Sequence, residues 1–321
     1  MLPERQLIAR IRRMAGRGTR GGIVKGIGDD CAVLQVGRGY DSLVTTDYCL
    51  EGVHFRRDWH SPESVGHRCM ARGLSDIAAM GGEPVAVFLS LALPGDLPQG
   101  WVRRFMRGLV GLAEKYGASL AGGDTAQSPE GILADIIVVG RVPKGKAILR
   151  SGARPEDRIY VSGELGGSAA AVAAMVRSPK KRLNPRTYWR HFFPEPRVEI
   201  GRLLREKKLA SSMIDLSDGL STDLSHICEE SGVGAETAVE MIPRAKMEKA
   251  GDNVGLDLAL HGGEDYELLF TVPEDKRIPK RIAGVALTCI GQIVPGHGVF
   301  VRRTSGAARR LKPGGWEHFR S

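Results

Sequence analysis

The residues best equipped for chemistry in this chain are aspartates, set in short clusters beside glycine or a hydroxyl residue. They are GIGDD (Gly26 to Asp30), TTD (Thr45 to Asp47), LSD (Leu74 to Asp76), AGGDT (Ala121 to Thr125), IDLSDG (Ile214 to Gly219) and GGEDYE (Gly262 to Glu267), all placed by the pattern at strand or helix ends. Carboxylate and hydroxyl oxygens are hard ligands that suit Mg2+, which keeps several waters and needs only a carboxylate or two beside substrate phosphates. Glycines let backbone N–H groups approach phosphate oxygens. Aspartates from separate turns can therefore hold several cations against one triphosphate. Taken singly, each motif also reads as an ordinary turn or helix cap, since Asp and Gly do both jobs. Six of them in one chain of net charge +9 shift the balance toward function.

Asp76 sharpens the point. On a helix over 65–80 it falls between Val65 and Cys69, at the edge of an apolar stripe with Met70, Gly73, Leu74 and Ile77. A carboxylate there is partly desolvated and needs a partner. Two like charges about 4 Å apart repel by roughly 4 kcal/mol at an effective dielectric near 20. A cluster of such aspartates calls for cations.

The elements that must position these groups alternate in type. Residues 42–46 read as a strand ending at Asp47, 62–80 as a helix, 85–93 as a buried strand, 98–116 as a helix and 132–139 as a strand. PKGKAILRSGARPED then marks a domain boundary near 148. A strand at 158–162, a Gly turn, helices at 168–177, 197–208 and 219–231, and strands at 267–272 and 286–293 follow, with a Pro-rich, charged loop at 178–196. The order predicts two α/β or α+β domains, as does a length of 321 residues.

Two phosphate-loop lookalikes are weaker. GRVPKGKA (Gly140 to Ala147) nearly fits the Walker pattern but ends in Ala147 instead of a hydroxyl, and no helix pattern follows. GELGGSAAA (Gly163 to Ala171) reads either as an anion seat at a helix N-terminus or as a tight turn. His54, in EGVHF, reads as a surface histidine or, near the TTD cluster, as a substrate contact.

Composition narrows the class. Apolar residues make up 42% and charged ones 26%, ordinary for a globular chain. No uninterrupted apolar run approaches about 18 residues, so no membrane span is expected. MLPERQLIARIRRM reads as an amphipathic helix, not a signal peptide, which points to the cytoplasm. The five cysteines are scattered and never form a CxxC pair, which argues against disulfides and a thiolate zinc site. The basic residues are spread over three segments without a recognition motif, so they read as solvated surface or as attraction for polyphosphates rather than as a nucleic-acid site.

GIGDDCAVL, TTDYCLEGVHF, LSDIAAMGGEP, GGDT, RSGARPED, IDLSDGLSTDL and GGEDYELLFTV, in this order, resemble the thiamine-monophosphate kinases over nearly the whole length from about Gly26. The wider superfamily includes aminoimidazole ribonucleotide synthetase, selenophosphate synthetase and a hydrogenase maturation protein. The resemblance implies an aminoimidazole ribonucleotide synthetase-like fold in two domains. Residues 1–148 would bind ATP and Mg2+ and pair their sheet with a second copy in a homodimer. Residues 149–321 would form an α/β domain completing the sites. It implies direct in-line transfer from ATP to thiamine monophosphate, with several Mg2+ ions and no phospho-enzyme. Asp30, Thr45, Thr46, Asp47, Asp76, Asp124, Asp215 and Asp218 match the family's metal positions. Gly122, Gly123, Arg150 and Ser217 match its ATP contacts. His54, Glu264 and Trp316 match its thiamine phosphate contacts. The nucleophile would be the acceptor's own phosphate oxygen, already ionised because its second pKa is about 6, so no strong protein base is demanded.

Two departures stand out. His261 precedes GGED where a small residue is expected, and the basic segment 178–196 matches no motif. The alternatives are another ATP-dependent enzyme of the superfamily, or a basic nucleic-acid-binding protein. No reactive cysteine precedes Gly26, as selenophosphate synthetase would require.

Overall fold

The computed structural model describes Gln6 and residues 23–25, 28–35, 37, 39–246, 253–303 and 306–317. The expected N-terminal amphipathic helix lies outside the described residues except for Gln6, as do Gly26 and Ile27 of the first acidic motif.

The first half builds a sheet from β1 (Ile23–Lys25), β2 (Ala32–Leu34), β3 (Tyr40–Leu50), β4 (Glu83–Pro94), β5 (Ser119–Ser128) and β6 (Leu133–Pro143), in the order β1-β2-β3-β6-β4-β5. Only β4 and β5 run parallel. Strict alternation in β6 puts Ala134, Ile136 and Val138 on the buried face. Helices α1 (Pro62–Ala79) and α2 (Gln99–Lys115) cover that face. The other face is open and carries Tyr40, Tyr48 and Phe88 in water. Pro62 starts α1 behind a Ser61 cap, as its position in the sequence requires. The two helices touch backbone to backbone. A Cβ on Gly66 would fall 2.0 Å from the Phe105 carbonyl oxygen, and one on Gly108 2.0 Å from that of Glu63.

The second half contains β7 (Arg158–Ser162), α3 (Gly167–Arg177), α4 (Trp189–Phe192), α5 (Val198–Glu206), β8 (Ser212–Asp215), α6 (Leu220–Ser231), β9 (Gly234–Ala238), α7 (Leu256–His261), β10 (Leu268–Val272), β11 (Arg281–Ile282), β12 (Val285–Val294), β13 (Gly298–Arg302) and β14 (Arg309–Leu311). Its sheet runs β14-β13-β9-β12-β7-β10-β8, with β11 on β12. The two-domain mixed fold expected from the sequence is present.

Two cores form, and they share a wall. On β10, Leu268, Phe270 and Val272 join Leu43, Leu74 and Ile77 of the first half, while Leu269 faces the second core with Ile159, Val161 and Leu224. Alternation along a strand buried on both faces produces this split.

Three expectations need correction. Asp47 lies inside β3, which runs on to Leu50, and AGGDT lies in edge strand β5 rather than a turn. LSD sits within α1. Segment 178–196 is not all loop, because α4 buries His191 and Phe192.

Candidate active site

Three elements bring the first carboxylates together. Asp30 precedes β2, Asp76 lies on α1, and Asp215 ends β8. One carboxylate oxygen from each lies within 4.8 Å of those of the other two. Thr45, on the helix-facing side of β3, donates its hydroxyl to Asp76. Ser75 donates to Asp215 Oδ2 at 2.6 Å. Arg150 forks onto Asp30, Nε to Oδ2 at 3.1 Å and Nη2 to Oδ1 at 3.2 Å. Asp29 accepts from the Arg150 backbone at 3.2 Å and pairs with Lys25 at 3.2 Å.

The electrostatics mark the cluster as short of positive charge. Burial, then the charges of Asp47, Asp215 and Asp30, hold the Asp76 carboxyl well above the usual range. Burial and Asp30 do the same to Asp215, against the Ser75 hydrogen bond. Burial and Asp30 push Asp29 up to about 6. Burial also raises Asp47, against the pull of Arg72. Hard oxygen donors that repel one another in a desolvated pocket fit divalent cations.

A second group adjoins the first. Asp218, Asp223 and His226 offer ligand atoms within 4.8 Å of one another. Asp223 also accepts from Gly219 N at 3.0 Å and Asp218 N at 3.2 Å. Burial, then Asp218 and Asp215, raise its carboxyl well above the usual range. Sequence reasoning missed Asp223 and His226, although their i, i+3 spacing puts them on one helix face.

The residues expected to contact the acceptor gather around Glu264. Its backbone N donates to the Ser217 carbonyl at 2.8 Å, which ties this loop to the end of β8. Arg68 Nη2 donates to Glu264 Oε2 at 2.7 Å and to the His54 carbonyl at 3.2 Å. Burial alone would raise the Glu264 carboxyl, but Arg68 and Arg72 hold it below the usual range. Glu264 and Tyr266 both take left-handed backbone, with φ of 63° and 50°. Such conformations cost on the order of 1–3 kcal/mol each and gather at functional sites. His54 Nδ1 accepts from Leu50 N at 3.0 Å. Trp316 donates its backbone N to the Asp218 carbonyl at 3.1 Å and leaves its side chain 55% exposed. His261 sits beneath this tail, its Nδ1 2.8 Å from the Ser221 hydroxyl, and Gly314 passes too close to it for a Cβ.

Four residues stand apart from these groups. Thr46 points to the open face of the sheet and donates to Asp135 at 2.7 Å. Asp124, Gly122 and Gly123 lie on exposed β5. Gly123, with φ of +152°, leaves no room for a Cβ, which would meet the Leu89 carbonyl oxygen at 1.9 Å. Arg68 and Arg72 escaped sequence reasoning too, though they stand two turns and one turn before Asp76 on the same helix.

Both lookalikes fall away. GRVPKGKA is the end of β6 and a turn, with no helix after it. The N-terminus of α3 does seat an anion, but it is the chain's own Asp265, which accepts from Gly166 N at 2.6 Å and Ser168 N at 3.3 Å.

The N-terminal domain model of AIR synthase related proteins matches residues 28–142, and the C-terminal domain model matches 154–303. The thiamine-monophosphate kinase of Salmonella typhimurium is 40% identical over 286 residues, 86% of each chain. The chain belongs to the thiamine-monophosphate kinase family. The Bacillus subtilis kinase is 38% identical over 256 residues, 78% of each chain. A solved structure described as AaThiL complexed with AMPPCP and TMP superposes with a TM-score of 0.86 at 35% identity, covering 99% of this chain and 97% of that one. The Aquifex aeolicus thiamine monophosphate kinase gives 0.80 at 32% identity, over 96% of this chain and 98% of that one. The hydrogenase maturation protein HypE, at 17% identity and a TM-score of 0.70, shares the fold.

Proposed function

We propose that this kinase of thiamine monophosphate moves the γ-phosphoryl group of ATP directly onto the acceptor's phosphate, on Mg2+ ions held by its clustered aspartates. The observation that carries the reading is the convergence of Asp30, Asp76 and Asp215 from three separate elements. Thr45 and Asp47 adjoin that centre, and Asp218 extends it toward the second group. Thr46 and Asp124 complete the proposed ligand set on the strength of the motifs. Bound there, magnesium would supply neutralising charge for the triphosphate and for the transferring group.

The chain's own residues do the rest by positioning. Arg150, fixed by Asp30, presents a cation to phosphate oxygens. Gly122, Gly123 and Ser217 border the nucleotide, where the two glycines let backbone approach phosphate. Glu264 and His54 orient the acceptor, and the exposed Trp316 indole stacks on its cationic ring. The acceptor phosphate is the nucleophile, so no side chain need act as base.

Three further points belong to this proposal. The open sheet face with Tyr40, Tyr48 and Phe88, beside an almost fully exposed β5, supports a homodimer through these sheets. The domain boundary falls near 148, between the two matched regions. A cytoplasmic location agrees with five free cysteines. Among the described residues no helix is long and apolar enough to cross a membrane.

A coupled ADP-release assay with thiamine monophosphate and Mg2+ tests the reading. Turnover that needs all three components is expected. Turnover only with another phosphorylated acceptor would move the chain to a sibling activity. Salt-sensitive binding of DNA or RNA without turnover would point to the nucleic-acid alternative.

A further inference from the structure

Arg72 spans the seam between the metal side and the acceptor side. It stands one turn before Asp76 on α1. Its Nη2 reaches Asp47 Oδ1 at 3.5 Å, and its Nη1 reaches Glu264 Oε1 at 3.3 Å and the Tyr266 hydroxyl at 3.2 Å. Charge-assisted pairs are ordinarily about 2.7–2.9 Å, so all three contacts are loose. Its Nε has no partner, although the side chain is only 17% exposed. A guanidinium brings five N–H donors, and two of these go unused here.

The neighbouring charges leave this cation over. Glu264 is already held at 2.7 Å by Arg68. Asp47, the other anion in reach, is a proposed metal ligand, so its lone pairs would turn to a cation. An under-bonded charge out of water is costly, and a ligand anion would complete it. On that reading the acceptor's organic end lies toward Glu264 and Trp316, and its phosphate, the reacting end, lies on the Asp47 side, where Arg72 stands.

We infer that Arg72 binds the acceptor's phosphate group and sets the preference for phosphorylated over unphosphorylated thiamine. The inference rests on the acceptor-side reading above. A phosphate monoester carries close to two negative charges near neutral pH. The planar fork of an arginine can meet two of its oxygens at once.

The test is calorimetric binding of thiamine and of thiamine monophosphate to the wild-type chain and to Arg72→Gln, with Mg2+ present. Thiamine monophosphate should bind the variant about 10- to 100-fold more weakly, the size of one charge-assisted contact. Thiamine should bind both proteins equally. Equal weakening of both ligands would make Arg72 a mere clamp on the Glu264 loop and overturn the inference, as would no change in either. A wild-type chain that does not prefer thiamine monophosphate would sink the acceptor reading first, before any variant is made. Should Arg72→Gln fail to fold, a wild-type complex with thiamine monophosphate decides. A phosphate oxygen about 3 Å from an Arg72 nitrogen supports the inference, and a phosphate turned away from Arg72 overturns it.

Discussion

Ser75, on a helix of the first half, donates its hydroxyl to Asp215 at 2.6 Å, at the end of a strand of the second half. Through this contact the first half tunes a carboxylate of the second. The bond favours the ionised form of Asp215, against burial and the neighbouring Asp30 charge. Ser75→Ala should leave Asp215 holding its proton more tightly, so Mg2+ must compete harder for it. The Mg2+ concentration giving half-maximal velocity at pH 7 should rise several-fold. Stability should fall by about 1 kcal/mol, the value of a single hydrogen bond. An unchanged Mg2+ requirement would show that Asp215 takes no part in metal binding.

Asp76 offers a test in which stability and activity move in opposite directions. A carboxyl whose folded pKa is raised contributes stability below its ordinary range, near 4, that is lost as pH rises through the raised value. At pH 8 and without metal, Asp76 therefore costs the fold stability. Asp76→Asn should melt a few degrees higher than wild type in the absence of Mg2+, yet turn over no substrate. Added Mg2+ should raise the melting temperature of wild type more than that of the variant. A variant that melts lower without metal would contradict the charge crowding described here.

Asp47→Asn and Asp124→Asn should each abolish ATP-dependent product formation with the circular dichroism spectrum unchanged. Asp124 is the harder test, because it lies on an exposed edge strand and away from the central cluster. Near-normal turnover by Asp124→Asn would remove it from the proposed metal set.

His60 predicts an acid-side loss of stability. Burial, then the nearby Arg68 charge, lower its pKa to about 4, while Nε2 sits 2.9 Å from His191 Nε2. The unfolded histidine gains a proton below about 6.5 and the folded one resists until about 4, so stability is full above that window and falls within it. By pH 5 the cost is at most about 2 kcal/mol. Urea midpoints at pH 7 and pH 5 should lie closer together in His60→Gln than in wild type. Equal spacing in the two proteins would show that His60 titrates normally.

Much of the fold was legible because period and punctuation agree. Pro62, the apolar stripe through Leu74 and the Gly81–Gly82 stop defined α1 to within a residue. The short strands β2, β8 and β14 were missed, since three or four residues carry too little alternation to separate strand from loop. In the site, Asp30, Asp76 and Asp215 were legible because acidic and glycine residues cluster in the chain. Arg68 and Arg72 were not, because an arginine on a helix usually faces water, and only tertiary packing buries these two against Glu264. The anion at the start of α3 was foreseeable as a place but not as Asp265, about a hundred residues away in sequence.

Strand β10 has a last consequence. Because its alternate side chains serve both hydrophobic interiors, the interior of the first half is completed by side chains of the second. Severing the polypeptide near residue 148 would strip oil-like surface bare on each fragment, so the pieces should cling to each other rather than live apart. Melting of the intact molecule should then be a single event, with the clustered carboxylates of both halves appearing and vanishing together.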